Sequence, residues 1–288
     1  MLTSTPLASL TFFEGHPDIV RDVRSNCFAS LALMVWDSLL TFGDEVEYIW
    51  PTPRISKFKC LYLFLRYINL AALTATAVAI SFLTSGSASE LTCRIWFVFV
   101  VFIGQFSSTL TEVILAVRAY ALCSRSRRIA LFLCILIWSE LITASLVTLG
   151  RARGTRASFG TVCLLIDLPK KTLFHAIPLL ITQTALMGLI TIKSVLAAQA
   201  GWGRTPLVSL LMREGIVVYF AMLGFLAFAL MAYIQRDDRS ILTVFWFTSI
   251  MSIFGCRLIL NMERLSRKLS QERMGGSYPA FTTQIELE

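Results

Sequence analysis

Ionisable side chains inside long apolar stretches are the residues of this chain that are best placed to do chemistry. Asp37, Arg66, Glu112, Glu140 and Arg257 each interrupt such a stretch. A charged group at the centre of a membrane helix costs roughly 2.5–3.5 kcal/mol, so each of them should face protein or water and have a partner. Residues of this kind bind ions or ligands, relay protons, or hold neighbouring helices in register.

Counting along the apolar stretches places four of these residues toward the side on which we expect the C-terminus. At about 1.5 Å per helical residue, Asp37, Arg66, Glu112 and Arg257 lie from just inside the midplane to the inner half. Together with Arg118, at the end of the third stretch, they bring opposite charges to similar depths. We predict an inner ion network, which is either a switch between two packings or structural glue between helices.

Three further polar residues are candidates for a ligand or proton site. Glu140 lies near the middle of the fourth stretch, and Gln105 shares a helical stripe with Glu112 on the third. His175 lies near the outer end of the fifth stretch, where Pro178 can kink the helix and open a pocket. A protonated Glu140 bonded to a neighbouring helix, and a His175 that is only hydrogen-bonded, are the structural alternatives.

Cys93 and Cys163 form the most specific pair in the sequence. With the N-terminus outside, Cys93 lies at the outer end of helix three and Cys163 in the outer loop between helices four and five. Two thiols within reach in an oxidising compartment tend to form a disulfide, which would pin this loop over the mouth of the bundle. Two unpaired thiols are the alternative. The predicted arrangement resembles that of seven-helix G-protein-coupled receptors.

Composition decides the class of protein. Of 288 residues, 56% are hydrophobic and 15% charged, against about 45–50% and 25% in a soluble domain. Several apolar runs are about as long as the roughly 20 residues that cross a bilayer. A soluble enzyme and a disordered chain are therefore excluded. We predict an all-α, multi-pass bundle of seven transmembrane helices in the lipid bilayer, at 27–42, 61–82, 95–117, 129–149, 173–192, 215–234 and 241–260.

Basic residues between the apolar runs predict the orientation. Lys and Arg are more numerous in the segments that lie inside when the N-terminus is outside, although the Arg-rich loop between helices four and five favours the reverse. We expect the N-terminus out and the C-terminus in. The domains are then an N-terminal tail (1–26), a transmembrane domain (27–260) and a cytoplasmic tail (261–288). The basic stripe of this last tail either lies on an anionic leaflet or frays.

Missing motifs narrow the function. Two His residues are too few for a multi-His zinc hydrolase, and no Gly-x-Ser-x-Gly elbow, phosphate loop or Cys-x-x-Cys pair is present. The net charge of +8 is spread over short loops, so we expect no nucleic-acid partner. We expect neither an enzyme activity nor a cofactor or metal.

A run of residues near the N-terminus is similar to a known signature. The segment from Trp36 to Trp50, followed by Leu65, Arg66 and Tyr67, resembles the start of a fungal seven-transmembrane family. That family is catalogued as a domain of unknown function, numbered six-five-three-three, and its signature covers about residues 26–75. The resemblance continues downstream at 115–128, 213–220 and 256–261. It implies a seven-helix fold and supplies no activity.

The remaining expectation is a role in sensing. Arg118 and Tyr120 look like the Arg-centred motif that ends helix three of G-protein-coupled receptors, although no acidic residue precedes Arg118. We expect receptor-like sensing or signalling with a cytoplasmic partner, and the sequence does not identify the ligand. The alternative is a non-signalling membrane scaffold, or a small-solute pathway around Glu140 and Gln105.

Overall fold

Seven helices make up the part of the chain that the structure, a computed structural model, describes: residues 17–51, 57–83, 89–123, 126–153, 173–197, 206–235 and 240–275. These residues contain no strand. The helices are α1 (Pro17–Tyr48), α2 (Lys57–Leu63, a wide π-helical turn Phe64–Ile68, and Asn69–Leu83), α3 (Glu90–Leu122), α4 (Arg127–Arg153), α5 (Leu173–Ala197), α6 (Pro206–Gln235) and α7 (Ser240–Gly275). The predicted all-α class and the number of helices are confirmed.

Five of these helices are long and apolar enough to cross a membrane, namely α1, α2, α3, α4 and α7. The other two contain shorter apolar segments, Ile177–Lys193 in α5 and Gly215–Phe228 in α6. Large apolar side chains such as Trp138 and Phe220 are exposed on the outside of the bundle. A soluble domain avoids apolar surface on this scale, so the fold indicates a membrane protein.

The helices close into a ring that includes α3. Each helix packs on the next along the chain, and α7 packs on both α6 and α1. α3 also contacts α5 and α7, so it occupies the centre of the bundle. This central helix carries Gln105, Glu112 and Arg118. The predicted polar residues of α3 are therefore positioned where several other helices can reach them.

α1 and α7 run in the same direction. Four hydrogen bonds join α1 residues to α7 residues that come 219 or 220 positions later in the chain. They join Asn26 to Trp246, Ser30 to Ser249, Asp37 to Arg257 and Tyr48 to Arg267. Because these contacts advance together along both helices, the helices are parallel. The start of α1 and the end of α7 therefore lie at opposite ends of the bundle.

Both terminal helices extend beyond the predicted spans. α1 begins at Pro17 rather than at residue 27, and it continues to Tyr48. α7 continues past residue 260 to Gly275, in the segment that was predicted to lie on a leaflet or to fray. Arg264 and Arg267 lie over the Tyr48 ring, 5.8 and 5.3 Å from its centroid. Hydropathy marks only the apolar part of a helix, whereas these polar ends are held by contacts between α1 and α7.

α7 packs closely against the wide turn of α2. The hydroxyl of Ser252 donates to the Leu65 carbonyl at 2.6 Å. A Cβ added at Gly255 would lie 2.7 Å from Leu65 Cδ1 and 3.2 Å from Thr111 Oγ1. Gly255 therefore allows α7 to pack directly on both α2 and α3. This contact fixes the wide turn, which carries Arg66, against the middle of the bundle.

Candidate functional site

Glu45, on the last turn of α1, is the buried centre of a polar group that we call the Glu45 cluster: Glu45, Trp50, Tyr62, Arg66 and Tyr67. The Glu45 side chain is 0% exposed, and its Oε2 lies 3.0 Å from Nη1 of Arg66. Tyr62 donates to the same oxygen at 3.3 Å. Trp50 and Tyr67 donate to Oε1 at 3.1 and 2.7 Å. Both oxygens of this carboxylate are thus hydrogen-bonded inside the protein.

Arg66 connects the Glu45 cluster to the preceding turns of α1. Its guanidinium donates to Thr41 Oγ1 at 2.9 Å and also to the carbonyl of Ser38 and the hydroxyl of Tyr62. A buried charge is tolerated when it is paired and its remaining donors are hydrogen-bonded. The cluster satisfies that condition, and it joins α1 to the wide turn of α2.

Asp37 and Arg257 form a second ion pair beside this cluster. Oδ1 of Asp37 accepts from Nε and Nη2 of Arg257 at 2.9 and 2.6 Å. The Asp37 side chain is 9% exposed, whereas that of Arg257 is 53% exposed. Asp37 and Arg66 both line a cavity of about 10 Å³ together with Ser252 and Cys256. That volume is room for about one water molecule.

Arg118 ties the end of α3 to α7. Its side chain is buried, and it donates to the backbone carbonyl of Leu258. Its Nε also lies 3.0 Å from Sδ of Met262. Both contacts are made with one turn of α7, immediately after Arg257. The Arg118 side chain therefore links the C-terminal end of α3 to α7.

Glu112 and Glu140 meet in the core between α3, α4 and α5, where their carboxyl groups lie within hydrogen-bonding reach of each other. Gln183 Nε2 donates to Glu112 Oε1 at 2.7 Å, and Ser108 donates to the same oxygen at 3.3 Å. Gln105 Nε2 donates to Glu140 Oε1 at 3.2 Å. Both carboxyl groups are buried. This arrangement places two acidic groups together in the apolar part of the bundle.

The five residues of the predicted ion network are distributed over separate groups. Asp37 and Arg257 pair with each other, and Arg66 lies next to them but pairs with Glu45. Glu112 lies with an acidic group on α4 rather than with a cation. Arg118 reaches the α7 backbone. The described contacts of these polar residues thus link the helices in several places.

Glu45 is the residue whose role the sequence analysis missed, because it follows the apolar part of α1. Its position does carry a signal. Asp37, Thr41 and Glu45 are spaced by four residues, so they share one face of a helix. On a helix that continues past residue 42, this face presents the carboxylates of Asp37 and Glu45 to the arginines of other helices.

The outer candidates are only partly within the described residues. Cys93 is disulfide-bonded, while Cys163, its predicted partner, lies outside the part of the chain that the structure describes. The described cysteines with free thiols are Cys27, Cys60, Cys123, Cys134 and Cys256. The side chain of His175 also lies outside the described part, although its backbone belongs to α5.

The fold and these buried groups define an all-helical protein with at least five candidate membrane spans. A model for a family of unknown function (DUF6533) matches residues 26–71 of the chain. The match covers Asp37 and every residue of the Glu45 cluster, so the matched segment is the one that joins α1 to α2. No curated protein and no solved structure matches the chain.

Proposed function

We propose that the protein is a receptor-like membrane protein, in which a contact between α3 and α7 holds one of two packings of the bundle. The observation that carries this proposal is the position of Arg118, whose guanidinium crosses from the end of α3 to the Leu258 carbonyl of α7. A small shift of one helix end is enough to break such a contact. A ligand that favours the shifted packing would then change the inner surface of the protein.

The charged end of the bundle supports a partner on that side. Arg127 and Arg128 open α4, directly after the end of α3, and both side chains are exposed. With the N-terminus outside, this end faces the cytoplasm, as the distribution of Lys and Arg favours. A shift of α3 would move these cations relative to α7. The proposed partner is therefore a cytoplasmic signalling protein with an acidic docking surface.

The polar groups around the small cavity beside Asp37 and Arg66 favour sensing over a solute pathway. The cavity beside Asp37 and Arg66 has room for about one water, and the polar groups around it bond one helix to another. A pathway needs polar groups that face a continuous passage. The described polar contacts instead serve helix packing, which suits a bundle that changes between packings.

Distances between spin labels on α3 and α7 test the proposal. Ala121 and Ser266 are exposed beyond the Arg118 contact, so each can be replaced by a labelled cysteine in purified protein in nanodiscs. The free cysteines of the background, Cys27, Cys60, Cys123, Cys134 and Cys256, are replaced by alanine. The distance distribution is measured by pulsed electron spin resonance, with and without Arg118→Gln.

A receptor-like bundle should respond to this substitution with a second population. We expect one dominant distance in the parent protein and an additional, longer distance in Arg118→Gln, with helix content unchanged. Arg127→Gln removes the same charge from an exposed position, and it should leave the distribution as it is. A single unchanged distance in Arg118→Gln would overturn the proposal and favour the scaffold alternative.

A further inference from the structure

Three buried oxygen atoms at the junction of α3, α4 and α5 accept no hydrogen bond from any described group: Glu112 Oε2, Glu140 Oε2 and Gln183 Oε1. Their side chains are 0%, 1% and 2% exposed. A buried acceptor without a donor destabilises the protein, because its lost hydration is not compensated. The three atoms belong to three different helices. A proton shared among them would therefore reduce the free-energy cost of unpaired acceptors where these helices meet.

In the described part of the chain, the donors that bond to the two carboxyls are all neutral. Ser108 and Gln183 bond to Glu112, and Gln105 and Thr182 bond to Glu140, so the described residues of α3 and α5 reach the pair through uncharged groups. Two ionised carboxylates in contact repel each other and have no proton to share. The contact between Glu112 and Glu140 is a hydrogen bond only when a proton lies between them.

Gln183 points to a second proton. Its Nε2 donates to Glu112 Oε1 at 2.7 Å, so the amide is bonded to the carboxyl group. A carboxylic acid that accepts from an amide N–H in this way can return a second hydrogen bond, from its own O–H to the amide oxygen. The unpartnered Gln183 Oε1 and Glu112 Oε2 are the two atoms that such a bond would join.

We propose that Glu112, Glu140 and Gln183 form a proton-binding site that holds two protons in the described packing. One proton, on Glu140, is donated to Glu112, and the other, on Glu112, is donated to Gln183 Oε1. Both protons come from water and return to water on release, so two uncharged carboxyl groups become two carboxylates. In the bound state the three unpartnered oxygens are satisfied and the core carries no net charge.

Release of these protons would act on helix packing. The site joins α3 to α4 and α5, and two carboxylates in contact inside a low-dielectric core repel each other strongly. Loss of the protons should therefore separate α3 from α4. Because α3 also carries Arg118, proton occupancy would bias the contact between α3 and α7. The proton site does not depend on the receptor-like role, because all of its atoms belong to this chain and no partner contributes to it.

Infrared spectroscopy tests the proton site in the full chain. Protonated carboxyl groups have a carbonyl stretching band that carboxylates lack and that shifts in deuterated water. The protein is reconstituted in nanodiscs at neutral pH with K⁺ as the only added metal cation. Glu112→Gln and Glu140→Gln preserve the size of each side chain, and Glu47→Gln removes a carboxylate from an exposed position of α1 as the control.

We expect each core substitution to remove about half of the band, the double variant to abolish it, and Glu47→Gln to leave it unchanged. Gln183→Leu keeps both carboxyls, and it should shift the band because the acceptor is lost. A double variant with the parent band would overturn the proposal. Absence of the band from the parent protein in K⁺ would also overturn it, because the two core carboxyls would then be ionised.

Discussion

Arg257 of α7 donates two hydrogen bonds to a single oxygen of Asp37 on α1, at 2.9 and 2.6 Å. The next ion pair of these helices, Asp44 with Arg264 at 2.6 Å, lies seven residues further along both of them. Equal seven-residue steps are typical of two parallel helices that pack along a common seam. The two pairs therefore fix the register of α1 against α7, and they differ in burial.

Removing the two partners of the buried pair should have unequal effects. Arg257→Gln leaves the Asp37 carboxylate buried without a cation, so we expect a loss of about 1–3 kcal/mol in the free energy of unfolding. Asp37→Asn keeps an oxygen acceptor, and the half-exposed Arg257 can bond to water, so we expect less than about 1 kcal/mol. Thermal unfolding in detergent measures both. A larger effect of Asp37→Asn would contradict this interpretation.

The more exposed ion pair, Asp44 with Arg264, is the matched control. Asp44 and Arg264 are 35% and 42% exposed, and exposed ion pairs contribute about 0–1 kcal/mol. Asp44→Asn and Arg264→Gln should therefore each shift the unfolding midpoint less than Arg257→Gln does. Equal shifts would mean that burial does not decide the strength of these contacts.

The Glu45 cluster should be the most sensitive polar group in the described part of the chain. Glu45→Gln leaves Arg66 buried without a carboxylate, which we expect to cost about 3–5 kcal/mol or to prevent folding. Trp50→Phe removes one hydrogen bond and leaves the ion pair, so a cost of about 1 kcal/mol is expected. Folded yield and unfolding midpoint are measured for both variants. A normal midpoint for Glu45→Gln would rule out the structural role.

The close approach of α7 to α2 should make Gly255 intolerant of a side chain. A Cβ there would lie 2.7 Å from Leu65 Cδ1, so Gly255→Ala should destabilise the protein by about 1–3 kcal/mol. Gly224 has no atom within 4 Å of the same position, and Gly224→Ala should be neutral or stabilising by up to about 1 kcal/mol. Leu65→Ala combined with Gly255→Ala should cost less than the sum of the single changes.

These contacts show why residue depth placed Asp37 and Arg257 in one predicted network but did not indicate the Glu45 cluster. Asp37 and Arg257 both lie inside apolar runs, so counting residues along each run brought opposite charges to one level. Glu45 lies beyond the apolar run of α1, where hydropathy no longer reports a helix. The apolar pattern also does not predict the wide turn that directs Arg66 toward Glu45. The residues of this π-helical turn are as apolar as those of the α-helical segments beside it.

Glu112 illustrates a different limit of the sequence. Its depth suggested a cation partner, but depth does not determine the direction in which a side chain points around its helix. α3 is central and packs on four helices, so Glu112 had several possible neighbours. The packing of α3 on α4 and α5 selected Glu140 and Gln183, and that selection depends on long-range geometry.

Cys93 offers a separate test at the N-terminal end of α3. Cys93 is disulfide-bonded, and we predict that peptide mapping under non-reducing conditions will join it to Cys163. Reduction should release both peptides and lower the unfolding midpoint, because the bond restricts the unfolded chain. The free cysteines of the described helices should give the same peptides before and after reduction. A Cys93 peptide joined to one of those cysteines would contradict the predicted pair.

Accessibility of the two chain ends tests the parallel arrangement of α1 and α7 most directly. Epitope tags are fused to the N-terminus and to the C-terminus of the full chain, and antibody binding is compared in intact and permeabilised cells. We predict that the N-terminal tag is reached in intact cells and the C-terminal tag only after permeabilisation. Both tags on the same side would contradict the seven-helix arrangement, and the reverse pattern would contradict the orientation that places Arg118 at the cytoplasmic end.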